Sequence, residues 1–125
     1  SIGVGALGFH AYLQKNGIAW ESNEAKGANL RMFRHIRGKL DDANKELGKD
    51  RGEAPDAKGR GLRFSHVMAI APNASSSIIM GNTSPSIEPF RANAYRQDTL
   101  SGAYLNKNKY LDKLITDYCE KLNII

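Results

Sequence analysis

Cysteine is nearly missing from this sequence: Cys119 is the single thiol in 125 residues. One thiol excludes an internal disulfide and any Cys-rich metal site, and it suits a reducing, cytoplasmic setting. Long apolar runs are missing as well. No stretch approaches the roughly 18 residues that a membrane-spanning helix needs, so no membrane partner is expected. The opening Ser1-Ile2-Gly3-Val4-Gly5 has no basic region followed by an apolar core, hence no recognisable signal peptide. It also has no initiating Met and enters directly on an apolar segment, as though cut from something longer. His10, His35 and His66 share no ligand spacing, and neither His-Glu-x-x-His nor Cys-x-x-Cys occurs, so a bound metal is not expected. Repeats and low-complexity tracts are absent.

What is present has the composition of an ordinary globular protein, 41% hydrophobic and 25% charged. The length suits one domain, residues 1–125, with a modest core. The net charge is +5, and basic residues gather at Arg31/Arg34/His35/Arg37/Lys39 and at Lys58/Arg60/Arg63. Such a balance fits nucleic acid, a phosphorylated substrate, a solvated face, or a surface that meets another part of a larger protein.

Apolar spacing predicts a first helix over residues 2–15, entered through glycines and closed by Asn16-Gly17. Ser22 is a good N-cap for a second, with Glu24 in its first turn. In that helix Leu30, Phe33, Ile36, Leu40, Ala43 and Leu47 recur at intervals of 3, 3, 4, 3 and 4, an amphipathic stripe. Gly27 and Gly38 interrupt it and suggest close packing or a bend, and Gly48 or Gly52 ends it. Residues 52–61 read as a loop. His66–Pro72 is a short apolar run ending in proline, the pattern of a buried strand. Residues 83–102 read as irregular, with Pro85 and Pro89. A last helix starts from Asn106 or Asn108 and is expected to bury Tyr110, Leu111, Leu114, Ile115, Tyr118 and Leu122. The fold class is therefore α+β, predominantly helical, with three main helices and one short strand.

Three constellations bear on chemistry. Gly3-Val4-Gly5-Ala6-Leu7-Gly8 satisfies G-x-G-x-x-G, but too little chain precedes it for a dinucleotide-binding βαβ unit, and close helix packing is the reading preferred. Arg31, Arg34 and Arg37 lie along one helix side, which reads as a solvated face because interleaved aromatics are missing. The third is Pro72-Asn73-Ala74-Ser75-Ser76-Ser77, which follows the strand and leads into a brief helical turn. Small residues let a phosphate approach the backbone, and amides at a helix start point outward. An N-capped turn would use the same residue types. Cys119, among apolar positions of the last helix, reads as a packed, inert thiol. Glu88 is an isolated acid to which spacing gives no role.

Residues Ala69–Ile79, followed by Gly81-Asn82-Thr83-Ser84-Pro85-Ser86-Ile87-Glu88-Pro89, resemble the late barrel segment of the class I ribonucleotide reductase large subunit. Asn93-Ala94-Tyr95, Leu100-Ser101-Gly102 and the early Ile2-Gly3-Val4-Gly5 with Leu7-Gly8 extend the likeness, in order, over nearly the whole chain. The resemblance implies a piece of a ten-stranded α/β barrel in which a cysteine thiyl radical starts reduction of ribonucleotides for DNA precursor synthesis. It implies that Asn73, Ala74, Ser75 and Ser76 meet the substrate's phosphates, mostly through backbone N–H, with Pro72 fixing the turn. The implied partners are the remainder of the large subunit and the radical-generating small subunit. The family's Asn-x-Cys-x-Glu motif and paired reducing cysteines are absent, and Cys119 matches none of them. No catalytic residue and no cofactor is therefore expected in this chain, and it should be inactive alone. An unpaired apolar strand would favour pairing between chains, as in a homodimer. The alternative is a small basic helical module that binds nucleic acid or a protein partner.

Overall fold

The computed structural model describes residues 1–124. Its elements run α1 (Phe9–Lys15), α2 (Asn23–Arg51), a 3₁₀ turn (Pro55–Ala57), α3 (Ala74–Ile79), β1 (Ala94–Thr99), β2 (Gly102–Lys107) and α4 (Lys109–Lys121). The chain is a mainly helical α+β protein, as its apolar spacing indicated.

The first helix is shorter than expected. Residues 2–4 are extended and run parallel to 66–69: Ile2 N–H donates to His66 at 3.0 Å, Val4 N–H to Val67 at 3.0 Å, and Ala69 N–H to Val4 at 3.2 Å. A single bridge, Val4 to Met68, is the whole of this parallel pairing. The glycines that looked suited to helix packing serve this approach, because a Cβ on Gly5 would lie 2.5 Å from the Ala69 carbonyl oxygen. Gly8, at φ 81°, then turns the chain into α1. The apolar segment 66–72 is thus not a full strand, and its pairing partner comes from the same chain, not from a second copy.

Ser22 caps α2 as its sequence position suggests, accepting from Ala25 N–H at 3.0 Å. Asn108 likewise caps α4, its side chain accepting from Tyr110 and Leu111 N–H. Each such cap supplies an acceptor to amides that have none within the helix, a contribution of about 1 kcal/mol. The core is small: Phe9, Leu13, Ala25 and Ala28 are buried, with Ile18, Met32 and Ile87 packed against them. Phe9 meets Trp20 edge-on at 5.9 Å between ring centroids.

The far half of α2 anchors the return of the chain. Asn44, buried, donates to the Phe64 carbonyl at 2.9 Å and accepts its N–H at 2.7 Å. Gly48 lies so close to the returning backbone that a Cβ there would come within 2.3 Å of the Gly61 carbonyl oxygen. The tight contact falls at Gly48 and not at Gly27 or Gly38; a Cβ on Gly38 would meet nothing within 4 Å. Glu53 closes the loop by accepting N–H groups from Gly59 and Gly61. These hydrogen bonds lower its carboxyl pKa.

Two expectations fail in the last third. Residues 94–107, read as mostly irregular, form an antiparallel hairpin with Ala94 opposite Lys107 and Thr99 opposite Gly102. Its strands hold Arg96, Gln97, Asp98 and Asn106 in place of an apolar face, and its turn is Leu100-Ser101, not Asn-Gly, so neither alternation nor turn chemistry announced it. The apolar positions of α4 are not buried: Leu114, Ile115, Tyr118 and Leu122 are 51–65% exposed. Cys119 is half-buried.

Candidate functional site

The chain emerges from the 66–72 segment at Pro72 and turns at Asn73, whose backbone is left-handed at φ 50° and ψ 28°. A helix begins at once, so Ser75–Ser77 lie within α3 and not in a loop before it. Asn73 caps α3 with its backbone alone: Ser77 N–H donates to its carbonyl at 2.9 Å, and its side chain makes no capping bond. The amides of Ala74, Ser75 and Ser76 precede the first helical hydrogen bond and have no partner within the helix. All three residues are exposed, and Asn73 is half-buried. The arrangement offers consecutive outward amides plus two free-standing hydroxyls, the chemistry that suits an oxyanion.

Ser77 is different from its neighbours. It is buried, its hydroxyl donates back to the Ala74 carbonyl at 2.7 Å, and its own carbonyl accepts Thr83 N–H at 3.0 Å. It holds the turn and has no free donor to offer. The other end of α3 is held by later elements. Lys109 Nζ donates to the Gly81 carbonyl at 3.1 Å, and the Tyr95 hydroxyl donates to Asn82 Oδ1 at 3.1 Å.

After Asn82 the segment Thr83–Phe90 lies across the start of α1. Ser84 is fully buried; its carbonyl accepts Gly8 N–H at 2.8 Å and its hydroxyl accepts Ala11 N–H at 3.0 Å. The Ser86 carbonyl accepts Phe9 N–H at 3.5 Å. Ser84 and Ser86 therefore do for α1 what a local cap does elsewhere. Sequence spacing could not show this, because the capping residues follow the helix by more than 70 positions. His10 Nδ1 accepts Phe90 N–H at 3.0 Å. Burial pushes the His10 imidazole below its usual pKa of 6.5.

A cleft of about 470 Å³ opens between Gly5, Phe33, Met68, Ala69 and Ile87. Its walls are apolar and do not include residues 73–76, so it matches hydrocarbon better than phosphate. Of the basic stripe on α2, Arg31 and Arg34 are exposed, and Arg37 is paired with Asp41 at 2.8 Å. Glu88 is exposed. Among the described residues no group of three or more His, Cys, Asp or Glu side chains could hold a metal ion, and no helix is long and apolar enough to cross a membrane.

Comparison with known proteins gives these features a family. The profile of the ribonucleotide reductase barrel domain matches residues 1–59 and 54–124. The ribonucleoside-diphosphate reductase large subunit of Invertebrate iridescent virus 6 is 56% identical over 99% of this chain, which spans 13% of that protein. Its counterpart from Invertebrate iridescent virus 3 is 57% identical over 94% of the chain, covering 19% of its length. Among solved structures, the Actinobacillus ureae class Id ribonucleotide reductase alpha subunit superposes with a TM-score of 0.80 at 41% identity, over 94% of this chain and 21% of that one. Ordered sequence motifs and the path of the backbone agree: the chain belongs to the ribonucleotide reductase barrel-domain family.

Proposed function

We propose that residues 1–125 form part of the barrel of a ribonucleotide reductase large subunit, a cytoplasmic enzyme of DNA precursor synthesis, and supply its grip on the substrate's phosphates. The single observation that carries this reading is the row of exposed first-turn amides at Ala74, Ser75 and Ser76 behind the left-handed Asn73. Preorganised N–H groups hold an anionic oxygen without a charged side chain, and the dipole of even a short helix adds to them. Asn73 sets the turn, and Ser75 and Ser76 add hydroxyl donors. The substrate is a ribonucleotide, a diphosphate by analogy with the named relatives. With Cys119 as its only thiol, this chain supplies neither the radical nor the reducing cysteines. It is inactive alone and acts with the remainder of the large subunit and a radical-generating small subunit. No cofactor is assigned to these residues.

The test uses the full-length large subunit that contains this chain, with nucleoside diphosphate binding followed by titration calorimetry. Ser75→Asp places a carboxylate where it favours the helix start but repels phosphate. It should weaken binding by at least about tenfold without loss of stability. Ser76→Ala removes one hydroxyl donor and should cost about 1 kcal/mol, roughly fivefold. Unchanged affinity in Ser75→Asp would sink the assignment.

A further inference from the structure

The strap Thr83–Phe90 is fastened to the rest of the molecule at four points. Thr83 N–H reaches Ser77, Ser84 takes the amides of Gly8 and Ala11, and the Ser86 carbonyl takes Phe9 N–H. The fourth runs from Phe90 N–H to His10 Nδ1 at 3.0 Å. Three of these fastenings use backbone carbonyls and a serine hydroxyl, which do not titrate. The fourth uses an imidazole.

We infer that His10 is a positioning residue: its unprotonated Nδ1 holds the far end of the strap, Glu88 to Phe90, and releases it when the ring takes up a proton. An Nδ1 that accepts an amide N–H must carry a lone pair, so the neutral ring bears its proton on Nε2. Once Nδ1 is protonated, two donors face each other and the bond is lost. The ring is also enclosed by aromatics, edge to face with Trp20 at 5.3 Å and with Phe90 at 5.5 Å. The charged groups on the elements around it are Lys15 on α1, Glu21 next to Trp20, and Glu88 and Arg91 on either side of Phe90. None of these contributes to the lowered pKa of His10, which comes from burial. The fastening is therefore closed at neutral pH and opens in mild acid. The opening stays local, because Ser84 and Ser86 still hold the middle of the strap. Sequence position already placed His10 two residues after Gly8; only the fold shows that it serves a segment 80 residues away. This inference does not rest on the phosphate reading.

The experiment follows this chain, labelled with nitrogen-15, by long-range proton–nitrogen spectra of the imidazoles and by amide exchange across pH. The expected result is an unprotonated Nδ1 at neutral pH and a titration midpoint below 6.5 for His10. Phe90 amide exchange, corrected for its intrinsic rate, should accelerate about tenfold through the same midpoint. His10→Asn offers an amide oxygen near the place of Nδ1 and should keep Phe90 protected without the pH step. His10→Phe fills the ring's volume without an acceptor and should lose protection at every pH. A Phe90 amide still protected in His10→Phe, a proton found on Nδ1 at neutral pH, or a midpoint at or above 6.5 would overturn the assignment.

Discussion

The two ends of this molecule are stabilised in opposite ways. The first region comprises α1, the start of α2 and the strap. It buries Phe9, Leu13, Ala25 and Ala28 and satisfies the amides at the start of α1 from a distant segment. The hairpin and α4 are regular in backbone yet bury no apolar side chain of their own: Leu105 is 77% exposed and Leu114 65%. The link between the regions is polar, with Asn108 donating to Gln14 and to Asn93, both at 3.2 Å. Hydrogen bonding alone gives α4 its shape, while burial gives the first region its stability. A chain that spans 13–21% of its relatives' length carries faces that its own residues do not cover.

The largest effect that separates the two regions should come from matched truncations. Leu13→Ala opens a cavity at a fully buried site and should cost about 3 kcal/mol in urea unfolding, whereas Leu114→Ala should cost less than about 1 kcal/mol. Equal losses would break the contrast. A smaller and signed effect is expected along α2. Gly48→Ala forces a methyl group against the Gly61 carbonyl and should destabilise by about 2 kcal/mol. Gly38→Ala enters open space and should stabilise by roughly 0.5–1 kcal/mol, the ordinary helix preference for alanine. Paired thermal melts read both signs.

The smallest effect lies at Glu53, whose carboxylate accepts amides from Gly59 and Gly61 and whose pKa is lowered from 4.5. Because the folded chain holds this proton less tightly than the unfolded one, the contribution to stability is complete above about pH 4.5. It is lost as pH falls through the lowered folded value. Glu53→Gln should flatten the stability profile of the first region in that window and leave the exchange of α4 amides unchanged.

Some features were local enough to read in the sequence. The caps at Ser22 and Asn108, the long second helix and the outward turn at Pro72–Ser76 each depend on residues a few positions apart, whose propensities act within one turn of backbone. The hairpin was illegible because its two strands alternate charged and polar groups with no apolar face. The stripe on α2 was legible but misleading: Leu30 is 42% exposed, while Asn44 and Gly48 are buried, since the returning loop and not a second apolar helix covers that face.

The sequence by itself determined where helices start, that one thiol excludes disulfide chemistry, and that residues 72–76 can present amides outward. Tertiary structure decided the rest: that residues 2–4 pair with 66–69, that Ser84 and Ser86 cap a helix over 70 residues upstream, and that His10 holds Phe90. Local signals come from steric preferences and hydrogen bonds within a few residues, which composition and spacing record. Contacts between distant segments are chosen by which backbone groups remain unsatisfied once the chain has folded back on itself, and no short stretch of sequence carries that information.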